Sequence, residues 1–143
     1  MSRILKECIV AKDHDGATLV CEENGRRVIF QKPQGSKADK IKIDGCYVRQ
    51  ATACDYLVID WKNRHHFVEL KGSNVEHALE QLKVTVSMFF DSGDPAPVWC
   101  FVASTRSAPA ARPGIQNKKA RIKKAWKNAV IEIRTNQHVH TLT

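Results

Sequence analysis

Asp55-Tyr-Leu-Val-Ile-Asp-Trp-Lys-Asn-Arg-His-His-Phe-Val-Glu69-Leu-Lys71 is the stretch on which the reading of this chain turns. It holds two apolar runs, at 56–59 and 66–70, joined by the polar linker Asp60-Trp-Lys-Asn-Arg64. Runs of this length, separated by turn-forming residues, predict a hairpin of two well-buried strands. Side chains alternate across a strand, so Phe67, Glu69 and Lys71 share one face. If the pairing centres on Lys62, Asp55 stands directly opposite Glu69, with Cβ atoms roughly 4.5–5.5 Å apart. Two carboxylates that close repel unless something cationic sits between them. A divalent metal is the natural candidate, because hard cations take carboxylate oxygens. Lys71 adds a positive charge beside it. The plainer alternative is a wet strand face alternating Phe67, Glu69 and Lys71, but here the charges interrupt an apolar run.

Working outward, Thr18-Leu-Val-Cys21 and Arg27-Val-Ile-Phe30 flank Asn24-Gly25, a strong signal for an N-terminal β-hairpin. A further strand is expected at Lys40-Ile-Lys-Ile43, which Asp44-Gly45 ends or turns into Cys46-Tyr-Val-Arg49. Beyond Lys71 the period changes: Val75, Ala78, Leu79, Leu82, Val86 and Phe89 follow one helical face. Ser73 three residues before Glu76 predicts a capping box, and Ser92, Gly93 and Pro95 end the helix. Val98-Trp-Cys-Phe-Val-Ala103 reads as a buried strand parallel to an earlier one. A loop with Pro109, Pro113 and Gly114 leads to a basic helix over 116–127, a strand over 129–134 and a frayed tail over 137–143. The order predicts an α/β fold, a mixed β-sheet flanked by helices. One domain is expected over 1–143, with a β-rich part at about 1–50 and a core at about 51–135.

With 43% hydrophobic and 27% charged residues, the 143-residue chain excludes a disordered tail, a collagen-like chain and a coiled coil. No apolar run approaches the ~18 residues of a membrane span, and the first ten residues lack a secretory pattern; a cytoplasmic protein away from membranes is expected. Residues 1–105 balance 14 basic side chains against 14 acidic ones, so the net charge of +8 lies wholly in residues 106–143. That asymmetry points to a polyanionic partner. Cys8, Cys21, Cys46, Cys54 and Cys100 are odd in number and nowhere spaced as Cys-x-x-Cys. Neither a disulfide framework nor a zinc ribbon is expected, and reduced thiols are.

Asp55, then Glu69-Leu70-Lys71, resembles the core signature of the PD-(D/E)xK nuclease superfamily, which includes restriction endonucleases and archaeal Holliday-junction resolvases. Hairpin, helix and following strand match that core in order over about residues 40–105. Two departures stand out. The proline of the signature is Cys54, and an upstream acid is not evident, with Glu7, Glu22, Glu23 and Asp44 as candidates. Gln81 resembles the helical glutamine of several branches, or is a surface residue beside the core stripe. The resemblance implies a restriction endonuclease-like fold and a metal-dependent endonuclease acting on DNA, branched or structured DNA included. Asp55, Glu69 and the Leu70 carbonyl would hold Mg²⁺, or Mn²⁺ in its place. Lys71 would orient the attacking water, with Gln81 beside it, and a homodimer would be the working form. The alternative is a catalytically inactive nuclease-fold module that binds nucleic acid or a protein partner.

The second constellation is Arg112, Lys118, Lys119, Arg121, Lys123, Lys124 and Lys127, with no acid among residues 112–127. On a helix, Ala120, Ile122, Ala125 and Trp126 could pack inward while the cations contact DNA phosphates; a merely solvated face is the alternative. His65-His66 and His138-Val-His140 could ligate metal but read more simply as incidental. Asp60 reads as a turn residue, and Trp61 and Trp126 as packing residues that could also stack on bases.

Overall fold

The computed structural model describes residues 6–105 and 112–143. A 3₁₀ turn at Lys6–Cys8 leads into β1 (Ile9–His14), β2 (Thr18–Glu23), β3 (Arg26–Gln31), β4 (Ala38–Lys42), β5 (Tyr56–Ile59) and β6 (His65–Lys71). Then come α1 (Val75–Ser87), β7 (Val98–Ser104), α2 (Pro113–Ala125), β8 (Ala129–Thr135) and β9 (Gln137–Thr141). A six-stranded sheet runs in the order β1-β4-β5-β6-β7-β8, and β2-β3-β9 form a second sheet. Pairs from β1 to β6 are antiparallel, whereas β6-β7 and β7-β8 are parallel. Parallel neighbours need crossovers, and α1 and α2 supply them. The fold is therefore α/β with mixed strand directions, as the sequence predicts.

Alternation along the central strands divides the interior into two cores. Leu57, Phe67, Cys100 and Val102 pack with Val75, Leu79, Leu82, Ile115 and Ile122 of the helices. Val58, Val68, Leu70 and Phe101 pack with Leu19, Val28 and Phe30 of the small sheet. Three layers result: helices, large sheet, small sheet.

The local chemistry explains the element boundaries. Asn24 and Gly25 have φ of 52° and 80°, the left-handed pair that a two-residue hairpin turn demands. Helix α1 starts one residue later than the capping-box reading: Asn74, not Ser73, is the cap, its Oδ1 accepting from the His77 N–H at 2.9 Å. Asparagine caps as well as serine does, for about 1 kcal/mol. Glu76 is turned elsewhere; a Cβ at Gly114 would run into its carboxylate, so it lies against the first turn of α2. An acid there suits the positive end of the helix dipole.

Two expectations are corrected, on the cysteines and on the tail, and the open alternative at 44–49 is decided. The segment 46–49 is no strand but a tight turn, with Gly45 at φ 84° and an Asp44–Val48 bridge. Cys8 and Cys46 form a disulfide across 38 residues, while Cys21, Cys54 and Cys100 are buried thiols. Closing a loop that long removes about 4 kcal/mol of unfolded-state entropy. The strand β1 carries no clean alternation, because bulges break its register with β4 twice. The tail is strand β9, paired parallel with β3, with His138 and His140 turned inward and Val139 outward. Among the described residues, no helix is long and apolar enough to cross a membrane.

Candidate active site

The β5–β6 register pairs Tyr56 with Val68, and continuing it by one residue sets Asp55 opposite Glu69. This is the pairing centred on Lys62. Asp55 precedes β5 and is pinned by its backbone, its N–H donating to the Val68 carbonyl at 3.0 Å and its carbonyl accepting from Ile43 at 2.9 Å. Its carboxylate Oδ2 accepts from the Leu70 N–H at 2.8 Å. In an extended strand the N–H and C=O of one residue project to the same side, so the Leu70 carbonyl faces the same edge. Glu69 is 2% exposed and Asp55 7%. The two carboxyl groups are within hydrogen-bonding reach of each other.

Burial pushes the Asp55 carboxyl above the usual carboxylate range, and the negative charge of Glu23 pushes the same way. The Leu70 N–H, the Lys42 ammonium and the hydrogen bond with Glu69 oppose that shift without cancelling it. Two acids so placed make it costly for both to be charged, a cost that a bound cation would offset.

Helix α1 fixes the chain that delivers Asp55. Thr85 Oγ1 accepts from the Cys54 N–H at 2.8 Å and donates to the Gln81 carbonyl at 2.9 Å. Gln81 Nε2 donates to the Ala53 carbonyl at 3.1 Å. Gln81 is thus buried rather than a surface residue, and its described contact is with backbone two residues from Asp55. Lys71 ends β6 with its backbone paired to Ser104; its side chain lies outside the described structure.

Two neighbours, Lys42 and Tyr56, escape a reading of the sequence by motif, and a third, Glu23, is there only one candidate among four. Lys42 of β4 places Nζ 4.0 Å from Asp55 Oδ1 and 2.8 Å from Glu23 Oε1. The same ammonium lies 4.6 Å from the centroid of the Tyr56 ring. Of the four upstream acids, Glu23 is the one brought to the site; Glu22 pairs with Arg27 and Asp44 sits in the turn after β4. The alternation Lys40-Ile-Lys-Ile43 already puts both lysines on one face, but only the register of β4 against β5 brings Lys42 level with Tyr56.

Do these groups fit a metal? Magnesium keeps several waters and is held by one or two carboxylates together with substrate phosphate oxygens. Asp55, Glu69 and the Leu70 carbonyl make such a donor set, hard and open-ended. Among the described residues no group of three or more His, Cys, Asp and Glu is placed to hold an ion. The arrangement therefore suits an ion that draws its remaining ligands from water and substrate. A cysteine nucleophile fits poorly: burial pushes the Cys21 and Cys100 thiols up to about 12 and the Cys54 thiol well up.

The basic helix is only partly a free cationic face. Ile115, Ile122 and Trp126 are buried, whereas Ala120, expected inside, is exposed. Lys118 is tied to Glu80 of α1 at 2.7 Å, and Lys119 is half-buried. Arg112, Arg121, Lys123, Lys124 and Lys127 are exposed. Lys83 of α1, Ser92, Arg121 and Lys124 line one shallow cleft between the helices. Gly93, beyond the end of α1, donates to the Ala125 carbonyl, which ties the C-terminal ends of the two helices together. His66 is a core residue stacked on Trp99 at 4.8 Å and edge-on to Phe30. Comparison with protein-family models, with curated proteins and with solved structures gives no match, so geometry and sequence carry the functional reading.

Proposed function

We propose that this chain is a divalent-metal-dependent DNA endonuclease that hydrolyses phosphodiester bonds. One observation carries the reading: Asp55 and Glu69, opposite each other at the open end of the β5–β6 hairpin, are both buried, and the nearest cation to Asp55 among the described ion pairs, Lys42, is 4.0 Å from its Oδ1. The succession β4-β5-β6-α1-β7, with its switch from antiparallel to parallel pairing, supports a restriction endonuclease-like core.

Bound Mg²⁺ or Mn²⁺ would polarise the phosphodiester and lower the pKa of a water. Asp55 and Glu69 hold the ion, and the Leu70 N–H keeps Asp55 from rotating away. Gln81 and Thr85 hold the backbone at 53–54, so the donor oxygens are preorganised. Lys71 enters the proposal as the cation that orients the water. The exposed end of α2 contacts phosphates flanking the cut. One chain carries one such site, so cleavage of both strands calls for a twofold dimer.

The test is to incubate the pure protein with plasmid, linear, single-stranded and branched DNA in Mg²⁺, Mn²⁺ or EDTA. Cleavage with either metal, lost in EDTA and in Asp55→Asn and Glu69→Gln, is expected. DNA binding with no cleavage under any metal would replace the enzyme with a nuclease-fold binding module.

A further inference from the structure

Lys42 is the cation nearest Asp55 among the described ion pairs, and its position has three determinants. Its Nζ lies 4.0 Å from Asp55 Oδ1, too far for a direct hydrogen bond, and 2.8 Å from Glu23 Oε1, close enough for one. The Tyr56 ring offers its face at 4.6 Å to the centroid. Asp55 Oδ2 accepts from the Leu70 N–H, and Oδ1 is the oxygen turned to Lys42.

We propose that Lys42 is a resident counter-cation that competes with the divalent metal for Asp55, and that Glu23 and the Tyr56 ring form the seat that holds it aside when the metal is present. This rests on the metal site proposed above. An ammonium and a divalent ion on the same carboxylate oxygen repel, and the repulsion is strong where water is partly excluded. The lysine needs somewhere to go. A carboxylate at 2.8 Å and an aromatic face are the two partners a displaced ammonium prefers. Glu23 belongs to the small sheet, so that sheet reaches the site through Lys42 alone among the ion pairs described. Glu23 is a positioning residue in this scheme, not a metal ligand.

The probe is Mn²⁺ alone, its affinity read by electron paramagnetic resonance or calorimetry on the intact chain without DNA. Lys42→Met keeps the aliphatic stem over Tyr56 and removes the charge; Lys42→Gln serves as a second variant, and a thermal melt checks each fold. Lys42→Met should bind Mn²⁺ about tenfold more tightly. Glu23→Gln should bind about threefold more weakly, because the freed ammonium moves onto Asp55. In the Lys42→Met background the Glu23→Gln change should lose most of its effect, leaving only the smaller direct action of the Glu23 charge on Asp55. Lys40→Met is the control. Lys40 donates to the Val20 carbonyl at 3.0 Å, and its removal should leave the affinity unchanged.

An unchanged or weaker affinity in both Lys42 variants overturns the inference. So does a full Glu23→Gln effect without Lys42, which would make Glu23 a direct source of field or a ligand. Equal tightening by Lys40→Met would also overturn it, as an effect of bulk charge. If Asp55→Asn and Glu69→Gln bind Mn²⁺ as the unaltered chain does, the metal site itself is wrong, a separate failure from the preceding ones.

Discussion

At the turn end of the β5–β6 hairpin, Asp60 Oδ2 accepts from Arg64 Nε at 2.6 Å, while Oδ1 accepts from the backbone N–H groups of Lys62 and Arg64 at 2.9 and 3.0 Å. At the open end, Asp55 takes one backbone N–H and faces Glu69, with Lys42 held off at 4.0 Å. Both aspartates are buried, and five positions along one strand-turn segment separate an acid surrounded by donors from an acid set against another acid. Donors on both oxygens mark a structural group: Asp60 folds the turn with three of its roughly four lone-pair sites filled. A buried acid set against another acid is destabilising unless a ligand repays it, which is why such pairs mark binding sites.

The largest expected effect comes from removing the charge at the open end. Asp55→Asn and Glu69→Gln should each lower DNA cleavage about a thousandfold or more, the scale of a lost preorganised charge-stabilising group. Both should stay folded. At the turn end, Asp60→Ala should leave cleavage by the folded protein within a few-fold and cost about 3 kcal/mol of stability, because Arg64 loses its partner and two N–H groups lose their acceptor. Denaturant melts beside single-turnover cleavage separate the two. The comparison breaks if Asp60→Ala abolishes cleavage at a temperature where the variant remains folded.

Stability against pH sharpens the same contrast, since the two ends slope in opposite directions. The folded Asp55 carboxyl titrates above its ordinary value of 3.8, chiefly through burial. Its contribution is fully present below the unfolded value and is lost as pH rises through the folded one. His66, beside Asp60 at 3.9 Å, runs the other way: burial lowers it from 6.5 to about 4. The neutral imidazole donates from Nδ1 to the Val58 carbonyl at 3.2 Å. That contribution is complete above pH 6.5 and lost as pH falls from there to about 4, amounting to about 3 kcal/mol. Desolvation also lowers the half-buried His138 and His140 on β9, which face the same aromatic layer and carry Glu132, Arg134 and Arg64 in their surroundings. Chemical melts of metal-free protein from pH 8 to 4 should therefore show His66→Phe flattening the acid side. Asp55→Asn should gain stability relative to the unaltered chain as pH rises. Equal slopes in the two variants would mean that the hairpin ends do not differ.

The hairpin register, the helix after Lys71 and the parallel strand at Val98 were legible because period and turn chemistry agree there. Asp55 and Glu69 were legible for the same reason, since an even separation across a hairpin fixes a common face. What stayed hidden depended on contacts distant in sequence. Lys42 and Glu23 meet across two sheets, and Cys8 meets Cys46 only once β1 has paired with β4. Strand β9 escaped because its inward residues are histidines; pattern reading scores them as polar, yet here they stack on Phe101 at 5.2 and 5.0 Å. Ser73 lost the cap to Asn74, a choice one residue wide that local chemistry leaves open.

The smallest expected effect separates binding from chemistry on α2. If Lys123 and Lys124 neutralise phosphates, each contributes about 0.9 to the slope of log K against log[salt] on duplex DNA. Lys123→Ala with Lys124→Ala should then reduce that slope by roughly 2, equally for every sequence tested, because phosphates carry no sequence information. Lys118→Ala should change it by less than one, since Glu80 already holds that ammonium at 2.7 Å and binding DNA would first have to break the pair. Asp55→Asn should leave the slope where it was, because Asp55 is buried and carries no positive charge to neutralise a phosphate. Fluorescence anisotropy in EDTA over a range of salt reads all four proteins without cleavage intervening. A slope that does not move in the double variant makes the end of α2 a solvated surface. A slope that moves with Asp55→Asn as well would tie the carboxylates to phosphate repulsion rather than to metal binding, and the two ends of the hairpin would then differ in charge alone.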